Sequence, residues 1–191
     1  MNISSVKNEF ITQYNKYITR TGADELLKYL ESTDFFTAPA STRHHSAFEG
    51  GLCVHSLNVF VELIRLIKAY PEIKVSTETV AIIALLHDVC KIGCYKTSMR
   101  NVKDENGKWI QKPYYEFKED FCFGGHGSKS VYLIQKFMHL TDEEAVAINS
   151  HMGVFDKPTG DNSISNAYIQ FPIAWLLHVA DESSSYLREK E

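Results

Sequence analysis

The chain has 191 residues, 44% of them hydrophobic and 12% aromatic, enough apolar surface for one packed core and too much for a disordered chain. A net charge of −4 and a pI near 6.1 argue against broad, unspecific coating of nucleic acid, while leaving room for a small basic pocket. The longest apolar run, Val80–Leu86, falls far short of the ~20 residues a membrane helix needs, and the opening MNISSVKNEF lacks the apolar core of a signal peptide. No membrane association and a cytoplasmic location with reduced thiols are therefore expected.

Helical periodicity dominates, so the fold class expected is all-α, residues 1–191 forming a single domain with residues 1–33 as an N-terminal helical extension. Residues 3–20 and 24–32 read as two short amphipathic helices broken at Thr21-Gly22. Residues 34–47, with one proline and several small polar residues, read as an ordered loop. A helix from about Phe48 to Tyr70 follows, with Pro71 behind it; Leu52, Val59, Leu63 and Leu66 form its apolar stripe, and His55 falls on that stripe. The next helix, Thr77–Val89 with Ser76 as its N-cap, is apolar all round, which marks it as the central buried helix.

Residues 94–118 change character. Tyr, Val, Lys and Trp flank Asn106-Gly107, the signature of a β-hairpin, here read as an insertion. Helices resume over about 128–138 and from Thr141 to about His151, where T-D-E-E forms a capping box closed by Glu144. A loop carrying Pro158 and Gly160 leads to a last helix, about Pro172–Arg188. The cysteines Cys53, Cys90, Cys94 and Cys122 read as reduced thiols, since C-x3-C is not a structural zinc spacing.

The residues that carry chemistry stand out against this apolar background. His87 and Asp88 sit side by side where the central helix runs out; His55 lies on a buried face; Asp181 stands inside the apolar run AWLLHVADES. A buried carboxylate needs a cation or strong donors, so Asp181 calls for a metal or a salt bridge to Lys or Arg. His55 can equally be a satisfied core histidine.

In order, HHSAFEGGLCVHS, ALLHDVCKIG and HVADESSSY resemble the HD-domain metal-dependent phosphohydrolases, over roughly residues 40–185. The resemblance implies an HD-domain helical bundle in which His55, His87, Asp88 and Asp181 are metal ligands. Two further stretches, FGGHGSKS and INSHMGVF, are similar to those that supply the extra ligands of binuclear HD domains, and imply that His126 and His151 join the set with Asp88 bridging two metals. His126 could instead be a loop residue that binds substrate, and His151 a helix-terminal histidine. The cofactor implied is one or two divalent transition metals per chain, Fe, Mn, Ni, Co or Zn, with Mg possible; mixed imidazole and carboxylate donors suit the former. The nearest flavour is that of HD modules in some bacterial 3′–5′ exoribonucleases. The GYP signature of cyclic-di-GMP phosphodiesterases does not follow His151, where the chain reads MGVFDKPTG.

The function expected is hydrolysis of a phosphomonoester or phosphodiester, in a nucleotide or a single-stranded nucleic-acid end, by metal-activated water. Asp88 and Lys91 are the candidate catalytic residues; Arg43, His44, His45 and Lys129 are the candidate substrate-binding ones, Arg43 through bidentate contact with phosphate and one of the two histidines as a proton donor. His178 shares a face with Asp181 and reads as a supporting residue; His139 reads as surface. Two other functions fit the same ligands: a di-iron oxygenase acting on a small molecule, and a non-catalytic nucleotide-binding regulator. An oligomer is possible but not indicated.

Overall fold

A computed structural model describes residues 2–118, 122–156 and 161–189. The expected loop at Pro158 and Gly160 lies outside them. Eight α-helices among the described residues surround one core, and a single antiparallel hairpin interrupts them. The helices are α1 (Ile3–Tyr17), α2 (Ala23–Glu31), α3 (Gly51–Ala69), α4 (Thr77–Leu86), α5 (His126–Gln135), α6 (Asp142–Ser150), α7 (Ser163–Gln170) and α8 (Pro172–Ser183). Strands β1 (Tyr95–Lys103) and β2 (Trp109–Phe117) lie between α4 and α5, and pair from Tyr95 opposite Phe117 to Lys103 opposite Trp109. The architecture is thus the expected mostly helical one with a hairpin near residues 94–118.

The central helix is α4. Every residue from Thr79 to Leu86 is buried, as its all-apolar surface dictates, and α1, α3 and α6 pack around it. Each such Leu or Ile contributes about 1.5–3 kcal/mol by leaving water. Helix α8 closes the bundle against α3, α6 and α7. The N-terminal helices are part of the same core: Phe10, Tyr14, Leu26 and Leu30 belong to one apolar cluster with Ile82, Leu85 and Leu177. Phe10 meets Phe35 and Phe36 edge-on, at ring separations of 5.1 and 5.4 Å.

Local chemistry sets most boundaries. Ser76 caps α4 by accepting from the Thr79 amide, and Thr141 and Glu144 form the complete capping box of α6. Pro172 opens α8, where its missing N–H costs nothing. At the hairpin tip Asp104 Oδ1 accepts from the amides of Asn106 and Lys108, and Gly107 takes a positive φ of 77°.

Three features differ from the sequence reading. Helix α4 ends at Leu86 rather than Val89, because the His87 ring takes the Ala84 carbonyl that would otherwise receive the Asp88 amide; Asp88 then leaves the helical path and a short 3₁₀ turn, Val89–Lys91, follows. The last helix does not run uniformly to Arg188. After Ser183 it widens into a π-helical turn, Ser184–Arg188, where the Ser184 hydroxyl bonds the Ala180 carbonyl and the Glu189 amide reaches back five residues to Ser184. Helix α7 occupies residues that the sequence leaves to the loop before the last helix. Its apolar positions Ile164, Ala167 and Tyr168 have helical spacing, but its eight residues are too few for the pattern to stand out. No helix among the described residues is long and apolar enough to cross a membrane.

Candidate metal centre

Three helix segments deliver three buried imidazoles to one point. His55 projects from the buried face of α3, while His87 and His151 are the C-cap residues of α4 and α6; all three are inaccessible to solvent. The last two use the same device. His87 Nδ1 lies 2.8 Å from the Ala84 carbonyl and His151 Nδ1 lies 2.7 Å from the Ile148 carbonyl, each three residues back. A carbonyl only accepts, so each Nδ1 carries a proton and each Nε2 faces the carboxylates. His178 Nδ1 in turn donates to the His151 carbonyl at 2.7 Å, which gives His178 the supporting place expected of it.

What the nitrogens face is carboxylate. His55 Nε2 is 3.0 Å from Asp181 Oδ1 and 3.6 Å from Asp88 Oδ2; His87 Nε2 is 3.4 Å from Asp88 Oδ2; His151 Nε2 is 3.5 Å from Asp88 Oδ1 and makes no hydrogen bond. Donor atoms of His55, His87 and Asp88 lie within 4.8 Å of one another, as do those of His87, His151 and Asp181 and those of His45, His55 and Glu189. Two buried carboxylates this close together need positive charge or strong donors beside them. His55 supplies some. Burial would lower its pKa, but hydrogen bonds to Asp181 and Glu189 overcome this and raise it to about 10. Burial would likewise raise the Asp181 carboxyl, yet His55 holds it below the usual carboxylate range. These groups could hold a metal ion, and His151 Nε2, buried and without a hydrogen bond, is the atom that most plainly lacks its partner. The ion-pair partner of Asp181 is His55 rather than Lys or Arg, and His55 is buried with Glu189 on one ring nitrogen and Asp181 on the other, as a satisfied core histidine would also be.

Of the other sequence candidates, Lys91 lies one turn beyond Asp88 and its ammonium contacts Asp88 Oδ2 at 2.7 Å. Burial would lower the Lys91 pKa, but the Asp88 charge outweighs it and keeps the amine charged. Asp88, in turn, would be raised by burial; Lys91 and His87 hold it well below the usual range. Arg43 and His44 are exposed on the rim of a cleft of about 800 Å³ that opens over Asp88, Lys91 and Asp181. His45 lines the same cleft with its ring 4.9 Å from that of His55. Burial and the His55 charge push His45 down to about 4, so at neutral pH it is an uncharged ring, better fitted to bind than to give up a proton. His126, at the first position of α5, lies on the cleft wall near Phe117 and outside the three donor groups. Lys129 does not line the cleft; its ammonium is 3.4 Å from the Cys94 sulfur.

The residues that sequence reasoning missed are those behind the ligands. Glu189 follows the π-helical turn and binds His55 Nδ1; Asn58 and Ser46 hold Glu189. Tyr95, the first residue of β1, lines the cleft and donates to the Ala40 carbonyl at 3.0 Å, tying the hairpin to the 40–46 loop. Asn58, one turn after His55 on the same face, was findable from spacing; nothing distinguished Glu189 from the solvated charges around it.

Gly127 fixes how close α5 lies to α6. A Cβ there would meet the Ile148 carbonyl oxygen at 2.5 Å and Asn149 Cα at 2.6 Å, both backbone. That carbonyl is the one that orients His151. Gly127→Ala is expected to cost about 1–3 kcal/mol by overpacking, read by urea denaturation, and to weaken metal binding with it. Unchanged values of both would show that α5 can retreat without moving His151.

Comparison with family models, with curated proteins and with solved structures found no match to this chain.

Proposed function

We propose that the protein is a metal-dependent phosphohydrolase of the HD type, acting on a nucleotide or nucleic-acid phosphate. The observation that carries the reading is the convergence of three Nδ1-anchored imidazoles on two buried carboxylates at the floor of an open cleft. His55, His87, Asp88 and Asp181 would hold the metal, with His151 within reach of the same place. Nitrogen and carboxylate donors in this mixture suit Mn, Fe, Co, Ni or Zn better than Mg. A divalent ion supplies a water of lowered pKa and a Lewis acid for a phosphoryl oxygen.

The chain's own residues do the rest. Asp88 is held ionised, so it orients water and does not compete for its proton. Lys91 faces the cleft with the ammonium that pairs Asp88, and its remaining N–H groups can neutralise a phosphate. Arg43, exposed on the rim, offers a bidentate grip on a second phosphoryl or terminal phosphate. His45 and His126 lie on the cleft wall, where a substrate would contact them. The cleft volume is within the range that takes a nucleotide-sized ligand.

The test assays purified protein, reconstituted in turn with Mn, Fe, Co, Ni and Zn, for phosphate release from mono- and phosphodiester substrates, with oxygen uptake followed in parallel. Metal-dependent release that needs Lys91 is the expected result. Oxygen uptake without phosphate release would move the site to oxygenase chemistry. Nucleotide binding with neither would leave a regulatory binding protein.

A further inference from the structure

Glu189 lies beyond the π-helical turn, in a stretch whose charges look solvated in sequence. In the fold its side chain is only 4% exposed. Its hydrogen-bond partners all donate. His55 Nδ1 is 3.1 Å from Oε1 and 3.3 Å from Oε2; Asn58 Nδ2 donates to Oε1 at 2.9 Å; the Ser46 hydroxyl donates to Oε2 at 2.7 Å. Three donors and no acceptor define a carboxylate that is ionised and fixed in rotation.

We infer that Glu189 is a positioning residue for the metal centre: its carboxylate fixes the proton of His55 on Nδ1, aims Nε2 at the ion and makes that nitrogen a stronger donor. The inference rests on the proposed metal centre but not on the substrate. The chain must arrive at the right register to do this. An α-helix continued past Ser183 turns about 100° per residue; the wider π turn changes where residue 189 points. The turn is tied down independently by Arg188, whose guanidinium Nε lies 3.0 Å from the buried Glu62 of α3. His87 and His151 have backbone carbonyls behind them. Of the three, His55 has a carboxylate rather than a carbonyl behind its Nδ1.

The experiment measures Zn(II) affinity by competition with a chromophoric chelator, and the visible absorption of the Co(II)-loaded protein, with no substrate present. Glu189→Ala and the near-isosteric Glu189→Gln are compared with wild type and with Arg188→Ala, which loosens the same turn without touching His55. A fall in affinity of roughly 10- to 100-fold for both Glu189 variants, with a changed Co(II) spectrum and with R188A close to wild type, is expected. Wild-type affinity in both E189Q and E189A would overturn the assignment by reducing Glu189 to a packing residue. Wild type that binds Zn(II) but hydrolyses no phosphate would sink the hydrolase reading and leave the role of Glu189 standing. Wild type that binds no metal ion would overturn both.

Discussion

If the proposed centre holds a metal, Asp88→Ala is expected to abolish its retention and to reduce the proposed hydrolysis at least ~100-fold, the scale on which even supporting residues of metal sites act. Asp88 is the residue on which the centre turns: His55, His87 and His151 all place Nε2 within 3.6 Å of one or other of its oxygens, and Lys91 is 2.7 Å away. Removing the carboxylate leaves the Lys91 ammonium, 11% exposed, without its counter-charge. Some loss of stability should therefore accompany the loss of metal, and Asp88→Asn separates the two, since it keeps the shape and one acceptor while removing the charge. Elemental analysis of wild type, D88A and D88N, each beside its thermal unfolding without added metal, is the check. Metal retained at wild-type stoichiometry in D88N would mean that the ion does not sit against Asp88, and the centre would have to be redrawn around Asp181, His151 and His87. The wild-type stoichiometry also decides between one ion and two, and so whether His126 is recruited as a ligand from the cleft wall.

The second large effect is on folding. Glu144 is completely buried, and Arg20 holds it bidentately at 2.7 and 2.8 Å. The Thr79 hydroxyl and the Thr141 amide complete its shell, so one carboxylate joins the end of α1 to the starts of α4 and α6. Arg20 also reaches Glu78 at 3.2 Å. Arg20→Met keeps the length of the side chain and strands the buried charge, at a cost of about 3 kcal/mol or more, which for a chain of this size is a fall in Tm of roughly 10 °C. The double variant Arg20→Met/Glu144→Met should recover much of that loss, because a buried pair replaced by apolar groups is often neutral. Urea denaturation of the single and double variants measures both. A single-variant loss below about 0.5 kcal/mol would mean that water reaches Glu144 once Arg20 is gone, the outcome typical of exposed pairs.

Sequence and structure agree where a single physical rule decides. The apolar run from Val80 to Leu86 points to a buried helix, T-D-E-E to a helix start, and Asn106-Gly107 between Tyr- and Val-rich segments to a hairpin, and the fold has all three. His55 and Asp181 stood out as polar groups on apolar faces, and His87-Asp88 as a polar pair ending an apolar helix; their grouping with His151 came from the resemblance to HD domains, and the fold brings these residues together. The unread parts are those in which side chains compete with the backbone. The His87 ring shortens α4 and the Ser184 hydroxyl opens the π turn, and neither effect has a periodicity to detect. Glu189 depends on that turn, so its role is invisible without it. The Arg20–Glu144 pair spans 124 positions and is set by the packing of three helices, which no local pattern encodes.

The two histidines that cap α4 and α6 have a consequence for the order in which the site fills. Each stands at the carboxyl end of its helix, where the summed peptide dipoles leave roughly half a negative charge. Two such ends, together with Asp88 and Asp181, make the floor of the cleft a place of negative potential. A phosphate arriving alone would meet that potential, offset in part by Lys91, Arg43 and the charge on His55. A cation arriving first reverses the sign. For the proposed function, electrostatics would therefore make binding sequential, the metal entering first and an anionic substrate following it.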